Sequence, residues 1–358
     1  MKKIAQISMM VSSLFIASCK NTEVAQPELN INYPAAYVVN GTSSTLSVIN
    51  LNTNEATDLI QLTDDLSGMV HSGGGKFLQY PHHIYLNPLK NQIAIAAPGM
   101  DLSEGHGTAE VLAHSGMAKV ALLDAVKGIS VKLIEVPEMN HNAIYSPDGT
   151  EIWTSQMDEK GKVLVYDAKT YLLKNTISVG KEPAEVTFSS DGMMTFVANG
   201  MDNSVSVINP MTKKVIATIA VGKNPVGAWT GSDNRMYVDN EDGQSVSIID
   251  VKTLKVVEIV ALGFMPGYAA FNGEMKELWV TDPMAGKVHW WKQEANGKFA
   301  KGGSFATANG AHAIAFKGMT AYVTNQEAAS VSVVDVMKHE KIKDLKVGEK
   351  PNGLVIKL

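Results

Sequence analysis

A chain of 358 residues is long enough for a large core, and its net charge of −5 comes from residues of both signs scattered along it. No basic block of the kind that holds nucleic acid occurs, and nothing in its body is long and apolar enough to cross a bilayer as a helix. A single cysteine leaves no disulfide within the chain.

The first predicted element is a secretory signal over residues 1–18. In "MKKIAQISMMVSSLFIASC" Lys2 and Lys3 precede an apolar run to Ile16, small residues and then Cys19. The ending Ile16-Ala17-Ser18-Cys19 resembles the lipobox of bacterial lipoproteins. That resemblance implies that Cys19 is acylated and becomes the first mature residue. Acyl chains contribute about 0.8 kcal/mol per buried CH₂, so several together make a stable anchor. The implied place is the bacterial cell envelope, at the outer membrane, facing the periplasm or the exterior. Cleavage removes two lysines and no acid, which takes the net charge to −7. Residues 19–35, with "KNTEVAQPELNINYP", read as the lipidated cysteine and a polar tether.

From residue 36 onward a strand-like phrase recurs: "AYVVN", "QIAIAA", "EIWTS", "TFVAN", "MYVDN", "LWVTD" and "AYVTN". Its central residues are Tyr37, Ala94, Trp153, Phe196, Tyr237, Trp279 and Tyr322, spaced 57, 59, 43, 41, 42 and 43 residues apart. Each copy leads to a second alternating run, such as "SVSVIN" or "SVSVVD", that ends in Asp or Asn in six of the seven units. Those side chains open tight turns by bonding the backbone two residues on. A third run follows, and then a fourth that Pro usually leads: "PAEVTFSSDG", "PVGAWTGSDN", "PGYAAFNGEM" and "PNGLVIKL". Four short strands per unit, seven times over, predict an all-β, seven-bladed β-propeller over residues 36–358. The chain enters at the second strand of a blade, so the run from Pro351 is expected to complete the N-terminal blade and close the ring.

The phrase "YVTN" at 322–325, with "SVSVVD" and "VGEKPNG" after it, resembles the YVTN family of seven-bladed propellers, a bacterial secreted and surface group. The resemblance covers the whole mature body and implies the fold. More distantly, the architecture is similar to the propellers of nitrous oxide reductase and of the d1-haem domain of nitrite reductase. Those hold copper or haem with hub histidines.

The innermost strand of each unit begins at the Pro position, and the next residue is, in chain order, His82, His141, Ala184, Val226, Gly267, His312 and Asn352. The three histidines and Asn352 fall on blades 7, 1, 2 and 3, which become neighbours on closure; Ala, Val and Gly opposite leave space. His83 follows His82 directly, and strict alternation would turn one of the two away. Blades 1 and 2 carry insertions, "DDLSGMVHSGGGKF" with His71 and "APGMDLSEGHGTAEVLAHSGM" with His106 and His114. Both should hang over the face where the hub strands begin. Seven of the nine histidines are thus predicted on one face. With no second thiol to offer, imidazole points to a transition metal, copper or zinc, with haem as the less favoured cofactor. His82, His141 and His312 would be the first ligands, and His83, His71, His106 and His114 would complete the set or act as a lid. Met69, Met100, Met117 and Met139 in the same region would favour copper.

The alternatives are a recognition propeller with a wet histidine channel, docking a periplasmic or surface protein or a glycan, and a lactonase- or oxidoreductase-like hub enzyme. For the enzyme, Glu185, Asn142 and Asn352 are the only other polar hub residues, and no C-x-x-C-H attaches a c-type haem. The sequence therefore leans away from an enzyme.

Overall fold

The computed structural model describes residues 24–25, 28–64, 69–70, 77–102 and 118–358. It contains seven four-stranded antiparallel sheets, and among the described residues there is no helix. Blade 4 shows the plan: Pro183–Phe188 is innermost, and Thr195–Asn199, Ser204–Asn209 and Lys214–Ala220 follow outward. Innermost strands of neighbouring blades touch around the hub, so all seven run from the same face to the opposite one. Ring closure is as expected. Pro351–Lys357 pairs with Ala35–Asn40, Tyr37 opposite Val355, and becomes the innermost strand of blade 1.

The repeated phrase has a physical reason at each position. Tyr37, Trp153, Phe196, Tyr237, Trp279 and Tyr322 are sealed from solvent and fill the space between blades. The asparagine that ends the phrase in blades 1, 4, 5 and 7 is buried, and its amide reaches two hydroxyls on the next strand. Asn199 donates to Ser204 and Ser206 at 3.1 and 3.0 Å, and Asn325 donates to Ser330 and Ser332 at the same distances. The Asp or Asn after the next strand accepts from the turn backbone, as Asp167 does from Lys169 and Thr170. Four residues further on the chain takes a left-handed conformation, at Tyr171 in blade 3 and Lys213 in blade 4.

Residues 28–34, assigned to the tether by composition, lie against the disc. Leu29 and Ile31 donate backbone bonds to Lys127 and Val126, and Ile31 is buried in the core shared by blades 1 and 2. The signal segment and Cys19 lie outside the described residues, as do His71, His106, His114 and Met117. The two insertions that contain these side chains join Glu55–Gln61 to Ile84–Leu86 and Gln92–Ala97 to Lys119–Asp124.

Candidate metal centre

The innermost strands begin with a bulge. In blade 2 the His82 N–H donates to the Ala96 carbonyl at 2.8 Å, and the Ala96 N–H donates to the His83 carbonyl at 3.1 Å. Two residues therefore oppose one, and the alternation of side chains is broken at that point. The same shift occurs between Pro183 and Val186, between Pro225 and Gly227, and between Ala311 and Ile314.

This corrects the expectation that one of His82 and His83 must turn away. Both are buried, with ring centroids 4.7 Å apart. Each also meets His141, at 4.5 and 4.6 Å. The three offer one nitrogen apiece, all within 4.8 Å of one another. His312 stands further off, its ring 6.0 Å from those of both His82 and His83, and it stays half-buried. In the tightest trio, then, His83 takes the place expected of His312.

The bulge also creates a second tier, made by the residue after each hub position: His83, Asn142, Glu185, Gly227, Tyr268, Ala313 and Gly353. At Gly353 a side chain would be crowded by the backbone of the paired histidines, since a Cβ would stand 3.0 Å from the His83 Cα and 3.1 Å from the His82 carbonyl. Glu185 is fully buried. It accepts the Tyr85 hydroxyl at 2.5 Å and the Asn142 amide at 2.8 Å, and its other oxygen lies 2.7 Å from His141 Nδ1. Burial pushes its carboxyl up to about 8, against the pull of the Tyr85 and Asn142 bonds. Asn142 also clamps the Val186 backbone, donating to its carbonyl at 2.7 Å and accepting its N–H at 3.1 Å. Asn352, in the first tier, accepts from Gln326 at 2.6 Å and donates to the Pro81 carbonyl at 3.3 Å.

Below His83 lie Trp229 and Tyr268, with centroids at 5.5 and 6.5 Å from its ring and 3.9 Å from each other. The Trp229 indole N–H donates to buried Asp239. Across the hub, the space expected beside Ala184 and Val226 is filled by Leu102, Met139 and Met157, with Met100 packed against them. Met69 lies on a described strand whose side chains are not. The two remaining histidines sit away from the hub. His289 stacks on Phe264, and His339 stacks on Trp290 and bonds Glu277 at 2.9 Å.

Reading one residue per innermost strand finds His82, His141 and His312. It misses Glu185 as the partner of His141, and it misses Tyr85, Trp229 and Tyr268 altogether. Reading two residues per strand would have lined up Glu185 with His83.

No family model matches the chain, and no curated protein matches it. Among solved structures it is similar to the periplasmic gluconolactonase of Pseudomonas aeruginosa, at 14% identity over 91% of this chain and 99% of that one, with a TM-score of 0.70. It is also similar to the hydrazine synthase of Kuenenia stuttgartiensis, at 18% identity, 76% and 88% coverage and a TM-score of 0.61. Dihydro-heme d1 dehydrogenase NirN in complex with DHE matches at 13% identity, 94% and 77% coverage and a TM-score of 0.60. At these identities the likeness is one of fold alone: the chain is a seven-bladed β-propeller, with gluconolactonase and d1-haem dehydrogenase propellers among its structural neighbours.

Proposed function

We propose that the protein binds a transition metal ion, copper or zinc, at the propeller hub through His82, His83 and His141. In this reading it works in the bacterial cell envelope, tethered by lipid on Cys19, and serves a partner in that compartment. The observation that carries the metal reading is the buried imidazole trio, with one nitrogen each within 4.8 Å, backed by a carboxyl 2.7 Å from His141 Nδ1. A metal bound at the trio would favour the ionised form of Glu185, and a carboxylate on the far nitrogen of an imidazole then fixes its ring and tautomer and raises the basicity of the nitrogen that meets the metal. With Nδ1 engaged by Glu185, His141 presents Nε2 to the trio. Imidazole donors without thiolate suit copper and zinc, and three protein ligands leave a position for water, substrate or His312. His71, His106 and His114 would act from the two insertions. The packing of Leu102, Met139 and Met157 over Ala184 and Val226 favours a single ion over a flat macrocycle, so the DHE of NirN is not carried over.

The test is elemental mass spectrometry on residues 20–358, prepared without a histidine tag. Near-stoichiometric copper or zinc is expected in the wild type, with loss in the His82→Ala/His83→Ala/His141→Ala variant at unchanged circular dichroism. Glu185→Gln should weaken the metal by about 10- to 100-fold in a chelator competition. Equal metal in the wild type and the triple variant overturns the reading, as does a wild type that takes up neither copper nor zinc on titration.

A further inference from the structure

The hub continues below the two histidine tiers as a cavity of about 360 Å³, lined from blades 2 to 7. Its room comes from two alanines. Trp229, Ala270 and Ala315, in the consecutive blades 5, 6 and 7, stand at one register, each opposite the central residue of the repeated phrase: Tyr237, Trp279 and Tyr322. Only the first of the three is large, so blades 6 and 7 leave space beside its indole. That indole is folded back toward the histidines. A Cβ at Gly227 would lie 2.1 Å from it, and its centroid is 5.5 Å from His83 and 3.9 Å from Tyr268. Trp229 and Tyr268 thus form a partition between the cavity and His83. Phe188, Phe271 and Phe316 lie one position further along their strands, so the cavity opens on the face opposite the insertions.

Its chemistry is unlike that of the histidine tier. No Asp, Glu, Lys, Arg or His lines it, and an ion that gave up its water to enter would meet no lining charge. A hydroxyl-rich ligand fares no better, because most polar ends around the cavity are already engaged. Tyr85 donates to Glu185 at 2.5 Å, Tyr145 donates to Gln92 at 2.7 Å, and Thr230 donates to the Phe188 carbonyl at 2.5 Å. Thr187 and the Trp229 indole donate to the Ala228 carbonyl and to Asp239. Tyr268 is the exception: it lines the cavity, and its hydroxyl has no hydrogen bond to another described residue. A phenol hydroxyl is a donor for any acceptor that comes within reach. Aromatic walls gain most from another ring, in offset or edge-on contact, beyond the area that is buried. A cavity of about 150 Å³ accepts benzene, so this one has room for two fused rings. Small-molecule sites commonly take this form, apolar walls with one or a few placed polar groups.

We propose that this cavity is a second binding site, for an uncharged aromatic compound of two fused rings that carries a hydrogen-bond acceptor for Tyr268. It goes beyond the metal reading and does not depend on it, so it is tested on protein stripped of metal with chelator. The probe is α-tetralone, compared by calorimetry with α-decalone, which keeps the carbonyl and the fused rings but has no aromatic face. α-Tetralone should bind saturably and at least about fivefold more tightly than α-decalone. Naphthalene-2-carboxylate and N-methylquinolinium are similar in size but charged, and each should bind at least about tenfold more weakly. Tyr268→Phe should weaken α-tetralone by about three- to tenfold. Ala315→Trp fills the cavity at the register of Trp229 and should abolish binding at an unchanged melting temperature. Should that variant fail to fold, Tyr268→Phe still decides, since it removes one hydroxyl and no ring. Absence of saturable α-tetralone binding overturns the proposal, as does equal binding of α-decalone or of either charged probe. Binding unchanged in Tyr268→Phe, or surviving in a folded Ala315→Trp, overturns it as well.

Discussion

His289 lies over Phe264, ring centroids 4.4 Å apart, with Nε2 3.5 Å from Asp282. Burial holds its pKa below the ordinary histidine value, against the pull of Asp282 in the other direction. A depressed pKa means that the fold prefers the neutral ring. The stability this preference contributes is present above the unfolded pKa of about 6.5 and is lost as the pH falls through the folded value. Urea denaturation at about pH 7.5 and 5.5 should therefore show a smaller acid loss in His289→Gln than in the wild type. At the hub, single residues were legible only in part. His82 and His141 stood out because one position per strand repeats with the blade. The place of His83 was hidden because alternation assumes an unbroken ladder, and the bulge against Ala96 breaks it. Glu185 was hidden for another reason: its partners Tyr85 and His141 are 100 and 44 residues away in sequence. Only the ring geometry brings them together.

Strand pairs carry the repeat through side-chain hydrogen bonds as well as through apolar packing. Asn240 is sealed from solvent and donates to Ser245 and Ser247, at 3.1 Å each. Asn240→Ala leaves both hydroxyls without that donor in a buried setting and should cost about 1–3 kcal/mol in urea unfolding. A loss as small as that of an exposed substitution would mean the ladder is ornamental. Blades also latch to their neighbours. Glu151 accepts the Trp153 indole N–H at 3.0 Å and pairs with Lys213 from the next blade, whose ammonium also sits 4.8 Å over that indole. Glu277 repeats the arrangement with Trp279 at 3.0 Å and His339 at 2.9 Å. Lys213 and His339 occupy the same left-handed turn position in their blades. The Asn and Ser positions of the ladder were visible as a recurring phrase. The latches were not, because the Glu and its cation belong to different units and the cation changes type.

At the scale of the whole disc, seven units and their closure could be read directly, since period and strand count admit few other architectures. The order of residues around the hub followed from that count. Closure of blade 1 runs through Pro351–Lys357, paired to Ala35–Asn40 and packed against the innermost strands of blades 2 and 7. Removing residues 351–358 bares the hub edge of blade 1, and the truncated chain should lose its cooperative thermal transition and become sensitive to limited proteolysis. A sharp melt at the wild-type temperature would show that six complete blades suffice. The same strand also reaches the histidines, for the Gly353 N–H donates to the His82 carbonyl at 3.0 Å and Asn352 donates to the Pro81 carbonyl. During translation His82, His83 and His141 emerge well before the strand whose backbone steadies them. A chain ended before that strand thus carries the three imidazoles without their frame, and on the proposed metal reading tight uptake would report that the strand had been made.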